Sequence, residues 1–148
     1  MTDSPNAQIP FSWRAEGDRL AIYEGTAEGG VNLRIVTLEG DDQAGWTASG
    51  TEDFVATPFV VWSSAFSPDG RWLAYASNES GEYQIYTRTF PGGGGLKQIS
   101  IEGLGSGWPV WSRTSNELLF GAMLPGMGRE RQVFVADSTY NVVQVYAY

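Results

Sequence analysis

The middle of the chain contains a turn flanked by two short apolar runs: Phe66-Ser67-Pro68-Asp69-Gly70-Arg71-Trp72-Leu73-Ala74-Tyr75. Pro68 presets the backbone for the first corner of a type I turn, and Asp69 can hydrogen-bond to its own backbone. Gly70 can take the left-handed conformation, with positive φ, that the bulge of such a hairpin requires. The stretch therefore predicts a strand, a tight turn and a second strand.

The same pattern occurs twice more, each time opened by an aromatic residue and closed by a short apolar run. The other two copies are Trp13–Ile22 and Trp111–Phe120. They begin 53 residues before and 45 residues after Phe66, and β-propeller repeats run about 40–50 residues. Because the opening aromatic residues repeat in register, we predict that all three belong to the core.

Each copy is followed by two further segments that we predict to be strands. The predicted third strands are Leu33–Val36, Ile85–Arg88 and Val133–Ala136, and the fourth strands lie near 53–57, 96–100 and 141–146. Glycine-rich segments between them read as loops, and residues 40–52 form a polar insertion that we also predict to be a loop.

The pattern predicts an all-β fold of three four-stranded antiparallel blades, which is half of a six-bladed β-propeller. The blades should span about 11–59, 60–103 and 104–148, and residues 1–10 form an N-terminal segment that could be flexible. A composition with 19 glycines and 14% aromatic residues is typical of many short strands joined by tight turns.

Charge and composition exclude several classes of function. The net charge is −8 and the nine basic residues are scattered singly, so nucleic acid and anionic membranes are not expected partners. The first residues lack the features of a signal peptide, and no apolar run is long enough for a membrane helix. We expect a soluble chain, cytoplasmic by default, with its compartment left open.

The sequence offers no catalytic apparatus. It has no Cys and no His, and Lys97 is the sole lysine, so a nucleophilic serine would lack its usual base. Capping of the turns between first and second strands explains Glu16, Asp18 and Asp69. The full set of candidate acids is Glu16, Asp18, Asp69, Glu79, Glu82, Glu117 and Asp137. No calcium-loop spacing is present. We predict that the protein is not an enzyme, uses no cofactor and has no identifiable metal-ligating residues, while the presence of a bound metal is left open.

Phe66–Tyr75, followed by Ser77-Asn78-Glu79-Ser80-Gly81, resembles the Ser-Pro-Asp-Gly repeat of TolB-like and WD-like β-propellers. Thr57–Phe59 and Tyr86–Gly93 are similar to propellers fused to bacterial serine/threonine kinases and regulators. The resemblance covers about residues 11–137. It implies a platform that binds a protein or a small ligand, with a regulatory piece of a larger signalling protein as the alternative.

Propeller geometry selects one candidate binding surface. The connections between second and third strands share a face with the crossings into the next blade, and aromatic and small polar residues fall there: Trp62, Ser63, Ser64, Asn78, Glu79, Glu82, Ser106 and Trp108. These residues form a recognition surface, unless Trp62 and Trp108 simply pack between neighbouring blades.

Three blades form an open arc with two uncovered sheet faces. We expect these faces to be largely apolar, and soluble monomers seldom expose such surfaces. Two copies could cover each other and close a ring of six blades. A homodimer is therefore predicted, alongside an unidentified protein or small-molecule partner.

Overall fold

The computed structural model describes residues 4–100, 106–115, 117–123, 131–136 and 142–147. Throughout these ranges the regular structure is strand, and no helix occurs. The twelve strands are β1 Gln8–Trp13, β2 Arg19–Gly25, β3 Val31–Asp41, β4 Gly45–Val55, β5 Val61–Phe66, β6 Trp72–Ser77, β7 Gln84–Thr89, β8 Lys97–Gln98, β9 Ser106–Trp111, β10 Leu118–Met123, β11 Arg131–Ala136 and β12 Val142–Ala147.

The strands form three antiparallel sheets in which sequence neighbours pair. The strand orders are β1-β2-β3-β4 (sheet 1), β5-β6-β7-β8 (sheet 2) and β9-β10-β11-β12 (sheet 3). The all-β class and the antiparallel pairing predicted from the sequence are confirmed. The last strand of sheet 2 is only Lys97–Gln98, which is shorter than the predicted 96–100. Strand β1 begins at Gln8, within the predicted N-terminal segment.

The sheets pack face to face, and two apolar clusters fill the spaces between them. Ala21, Leu33 and Ile35 of sheet 1 meet Leu73 and Tyr75 of sheet 2 in the first cluster. In the second cluster, sheet 2 meets sheet 3 through Ala74, Ala76, Ile85, Leu118 and Phe120. Sheet 2 is apolar on both faces because successive residues of a strand point to opposite faces. β1 contacts β5, and β5 contacts β9, so the first strands of the sheets lie side by side.

The prediction of a loop at 40–52 is wrong. β3 and β4 continue as a paired ribbon to a turn at Asp41–Gly45, and the fourth strand is Gly45–Val55 rather than 53–57. The Asp41 carboxylate accepts hydrogen bonds from the Gln43 and Ala44 amides at 2.8 and 2.7 Å. These bonds lower the pKa of Asp41. Polar residues on an exposed ribbon resemble a loop in composition, although their backbones are paired.

The predicted turn at residues 66–75 is confirmed. Gly70 has φ 65° and its amide donates to the Ser67 carbonyl at 2.9 Å. Gly17 occupies the same place in the first repeat, with φ 80° and a bond to the Arg14 carbonyl at 2.9 Å. The Asp69 carboxylate accepts from Ser67 Oγ at 2.6 Å and from Arg71 Nε at 2.7 Å. Asp69 therefore holds the turn, as its sequence position indicates.

The three opening aromatic residues do not share one degree of burial. Phe66 is buried, and Trp111 is half-buried against the second apolar cluster. Trp13, in contrast, is 49% exposed, so its assignment to the core is wrong. Phe66 and Trp111 pack against the sheet that precedes their own, whereas no described sheet precedes sheet 1.

Candidate binding surfaces

Three aromatic side chains converge where sheets 2 and 3 meet, at the end where β5, β7 and β9 begin. The rings of Trp62 and Trp108 contact edge to face, with centroids 4.9 Å apart. Trp62 also contacts Tyr83 edge to face, at 5.6 Å. We name Trp62, Tyr83 and Trp108 the aromatic cluster. Trp108 is 49% exposed and Tyr83 36%, so the cluster presents apolar surface to solvent.

Backbone irregularities in β5 and β9 orient this cluster. Ser63 and Trp108 have φ of 61° and 51°, in the left-handed region that non-glycine residues rarely adopt. Both stand three residues before the opening aromatic residue of their repeat, and the register of each strand shifts there. A bulge re-aims the side chains next to it. The indole of Trp62 lies over Gly107, where a Cβ would stand 3.1 Å from its ring.

The bulge of β5 is fixed from sheet 1. The Ser64 amide donates a hydrogen bond to the hydroxyl oxygen of Tyr23, which lies in β2. Burial raises the pKa of Tyr23 above its ordinary range, and the bonds to Ser64 only partly oppose this. The hydroxyl therefore stays protonated, and the bulge is held by a neutral, buried contact.

Three of the predicted polar residues, Asn78, Glu79 and Glu82, lie on the loop between β6 and β7. The Asn78 side-chain oxygen accepts from the Val60 amide at 2.9 Å, and the Asn78 amide donates to the Val60 carbonyl at 3.3 Å. These bonds tie the loop to the segment entering β5. Glu82, which directly precedes Tyr83, is exposed, and Glu79 is half-buried. The loop thus places two carboxylates close in sequence to an exposed ring.

The structure brings together some of the predicted site residues and separates others. Trp62 and Trp108 touch, whereas Ser63 and Ser64 are buried in the bulge. The side chain of Ser106 lies outside the described residues. Sequence reasoning missed Tyr83, although its place after a turn and directly before a strand was a usable signal. Trp62 packs against both apolar clusters, as expected for a residue between neighbouring sheets, whereas Trp108 is 49% exposed.

A second concave surface runs along the first strands of the three sheets. This groove has a volume of about 610 Å³ and is lined mainly by Phe11–Trp13, Ser64–Pro68 and Pro109–Trp111. Among the predicted site residues whose side chains the structure describes, only Ser64 lines this groove. The buried hydroxyl of Ser12 has no hydrogen-bond partner among the described residues. Groups of this kind can hold an ordered water or a polar ligand atom.

The candidate acids at the described turns are engaged in local contacts. Arg14 pairs with Glu16 at 3.2 Å and with Asp18 at 3.4 Å. Glu117 accepts from Ser115 Oγ at 2.5 Å, and Asp137 lies outside the described residues. Within the described ranges no group of three or more acidic side chains is arranged to hold a metal ion. A search of the same ranges finds no helix able to cross a membrane.

The outer face of sheet 1, which no described sheet covers, is less apolar than the sequence predicted. In addition to Leu20 it carries a polar group centred on Glu24, which pairs with Arg34 at 2.7 Å. Desolvation alone would raise the pKa of Glu24. Hydrogen bonds from Arg34, Ser4, Gln8 and Asn6 outweigh it and lower the pKa to about 2. Asp53, on β4, pairs with the same guanidinium at 2.9 Å.

Solved structures with this arrangement of sheets are β-propellers of the TolB-like kind. A protein assigned as TolB from Agrobacterium tumefaciens matches 97% of the chain with a TM-score of 0.74 at 16% identity. TolB from Acinetobacter baumannii matches 97% with a TM-score of 0.54 at 13% identity. An oligogalacturonate lyase in complex with manganese matches 98% with a TM-score of 0.70 at 13% identity.

These similarities establish a propeller-like fold, and at such low identity they establish the fold alone. The chain spans 50%, 44% and 43% of the lengths of those three proteins, or about half. No family model and no curated protein matches the sequence. One fold carries both TolB proteins and a lyase here, so the function must be argued from the chain's own surfaces.

Proposed function

We propose that the chain is a non-catalytic β-propeller scaffold that binds a protein segment or a small ligand at the aromatic cluster. In this proposal the three sheets are blades of a six-bladed ring. The observation that carries it is Trp108, which is 49% exposed while its backbone is in the left-handed region. Such strain persists only where the surrounding structure enforces it, and it is concentrated at functional sites.

The chemistry of the surface favours a partner with apolar and basic character. Exposed indole and phenol rings attract cations over their faces, and Tyr and Trp dominate binding hot spots. Glu79 and Glu82 lie on the adjoining loop, and the net charge of −8 draws cationic segments towards the protein. A peptide that carries Arg or Lys next to an aromatic or aliphatic residue meets both requirements.

The proposal excludes catalysis on chemical grounds that come from the sequence. A chain without His or Cys lacks the imidazole base and the thiolate nucleophile. We expect the purified chain to turn over no generic hydrolase, transferase or redox substrate. Turnover that disappears when a single Ser or carboxylate is substituted would contradict the exclusion.

The binding proposal is tested with peptides selected against the purified chain from a displayed random library. Affinity for the enriched peptides is measured by calorimetry on the wild type, Trp108→Ala and Leu96→Ala. Leu96 is 51% exposed but lies beside β8, away from the cluster. We expect Trp108→Ala to weaken binding by about tenfold or more and Leu96→Ala to leave it unchanged. Equal affinity for the wild type and Trp108→Ala would overturn the site.

The second proposal is that the propeller is a sensor or regulatory part of a larger signalling protein, such as a bacterial serine/threonine kinase. Its support is the similarity of Thr57–Phe59 and Tyr86–Gly93 to kinase-fused propellers. The native open reading frame tests it directly. A frame that encodes no further domain would remove this alternative.

A further inference from the structure

In sheets 2 and 3 the aromatic residue that opens the repeat sits against the sheet before its own. Phe66 of sheet 2 packs in the apolar cluster shared with sheet 1. Trp111 of sheet 3 reaches sheet 2, where its indole Nε1 donates to the Ala65 carbonyl at 3.0 Å. Ala65 directly precedes Phe66, so the acceptor is the residue just before the neighbouring sheet's own aromatic residue.

Trp13 has the same position in sheet 1, but no sheet in the described part of the chain lies against it. It is paired with Leu20, as Phe66 is with Leu73 and Trp111 with Leu118. Leu73 and Leu118 are 0% and 1% exposed, whereas Leu20 is only half-buried. The outer face of sheet 1 therefore carries, in Trp13 and Leu20, the same aromatic–leucine pair that lies between sheets elsewhere in the structure.

The matching half of that interface lies at the other end of the chain. Val110 directly precedes Trp111, which makes its carbonyl the repeat equivalent of the Ala65 carbonyl. Its side chain is 59% exposed. Val110 pairs with Leu119, so both lie on the face of sheet 3 turned away from sheet 2. At Val110, sheet 3 therefore carries the repeat equivalent of the carbonyl to which Trp111 donates on sheet 2.

We infer that a second copy of this chain covers both ends, with sheet 1 of each copy packed on sheet 3 of the other. In each contact the Trp13 indole donates to the Val110 carbonyl of the other copy. The inference rests on the proposed six-bladed arrangement, and the bond from Trp111 to the Ala65 carbonyl supplies the pattern for the contact between copies. The two contacts are equivalent and close the ring. The grooves along β1, β5 and β9 of the two copies then form the two halves of one central channel.

The charges of the sheet 1 face are compatible with this burial. Glu24 is already paired with Arg34 and accepts from three neighbouring side chains, so covering it leaves no carboxylate without a partner. Asp53, which is half exposed, lies on the outer strand β4, where water remains available.

The test is the mass in solution of the full chain and its variants, by sedimentation velocity across a concentration series. The wild type should sediment at twice its chain mass of 16.1 kDa. Trp13→Lys and Val110→Glu should each weaken the dimer by about 30-fold or more. Leu96→Lys, an equally exposed position on the middle sheet, should leave the dimer intact. Far-UV circular dichroism of each variant confirms that it is folded, and Trp13→Phe provides a milder second variant with a weaker effect.

Mixing the two variants distinguishes this pairing from other dimers. In an equimolar mixture of Trp13→Lys and Val110→Glu, one interface is native and the other sets Lys against Glu, so dimers should return. A mixture no better than either variant alone would overturn the inference. So would a monomeric wild type at micromolar concentration, or species that grow with concentration as open polymers. Peptide binding by the Trp13→Lys monomer tests the aromatic cluster separately, because the two proposals use different residues.

Discussion

Trp111 and Leu118 on sheet 3 form the same cross-strand pair as Trp13 and Leu20 on sheet 1. On sheet 3 the leucine is 1% exposed and the indole donates to a neighbouring carbonyl. On sheet 1 the indole is 49% exposed. Equivalent residues in an equivalent register therefore have different surroundings, because sheet 2 covers the first pair and no described sheet covers the second.

The difference shows that burial of a side chain in this fold depends on whether another sheet packs on it, and not on its position in its own strand. Removing apolar surface from water yields about 25 cal/mol per Å², and only a covering sheet removes it. The pair Trp111 and Leu118 should thus stabilise a single chain, whereas the pair Trp13 and Leu20 should contribute mainly when a sheet of another copy packs on it. Substitutions at matched positions measure the difference.

The largest effect is expected at the leucines. Leu118→Ala leaves a cavity between sheets 2 and 3 and should cost about 2–5 kcal/mol in the free energy of unfolding. Leu20→Ala, at low protein concentration, should cost about 1 kcal/mol, since less apolar surface is lost. Urea unfolding monitored by circular dichroism measures both values. Equal costs at low concentration would show that the outer face of sheet 1 is already covered.

The polar half of the uncovered face can be tested with Glu24→Gln, which should cost about 1.5–3 kcal/mol at neutral pH. Because folding lowers the pKa of Glu24 from 4.5 to about 2, the unfolded chain takes up the proton first as the pH falls. The stabilisation is thus complete above pH 4.5 and is lost as the pH falls to 2. Unfolding curves of the variant should depend less on pH across that window, and Glu28→Gln, on an exposed turn, should behave as the wild type.

The two equivalent turns should also differ. Gly70→Val should cost about 1 kcal/mol or more, because φ is positive there. Its Cβ would also stand 2.6 Å from Arg14 Nε, displacing a guanidinium that lies 5.5 Å over the Phe90 ring. Gly17→Val introduces the same backbone strain, but its Cβ would lie at an ordinary 3.6 Å from Trp13 Nε1. The melting temperature of Gly17→Val should therefore fall less than that of Gly70→Val.

Gly50→Val is the control for both turns, since Gly50 has no positive φ and open space around it. That variant should melt at or slightly above the wild-type temperature. If Gly17→Val proves the more damaging of the two turn variants, the turn of sheet 1 makes contacts beyond those of the single chain.

The smallest effect is expected from removing the indole donors. Trp111→Phe loses the bond to the Ala65 carbonyl and should cost about 0.5–1.5 kcal/mol. Trp13→Phe should be close to neutral in a dilute single chain, and its cost should appear as the protein concentration rises. Denaturation at two protein concentrations measures this change in the free energy of unfolding. A change for Trp13→Phe that does not depend on protein concentration would contradict the inference that a second copy covers Trp13.

Local chemistry made part of the candidate surface predictable. The positive φ of Gly70 follows from its place after Pro68-Asp69, and the pairing of Trp62 with Trp108 follows from their shared end of neighbouring sheets. The contact with Tyr83 did not follow, since it depends on where a loop folds back. The positive φ of Ser63 and Trp108 was likewise invisible, because neither residue type signals a bulge.

The sequence by itself determined the turns, the strands and the three-fold repetition, because each depends on residues close together in the chain. Only the tertiary structure decided that residues 40–52 are a paired ribbon and that Trp13, unlike Trp111, faces solvent. Whether a backbone is paired and whether a side chain is buried depend on the residues that pack against it, which are distant in the sequence. Equivalent residues of two repeats therefore differ in burial. The preceding sheet covers Trp111, whereas no described sheet covers Trp13.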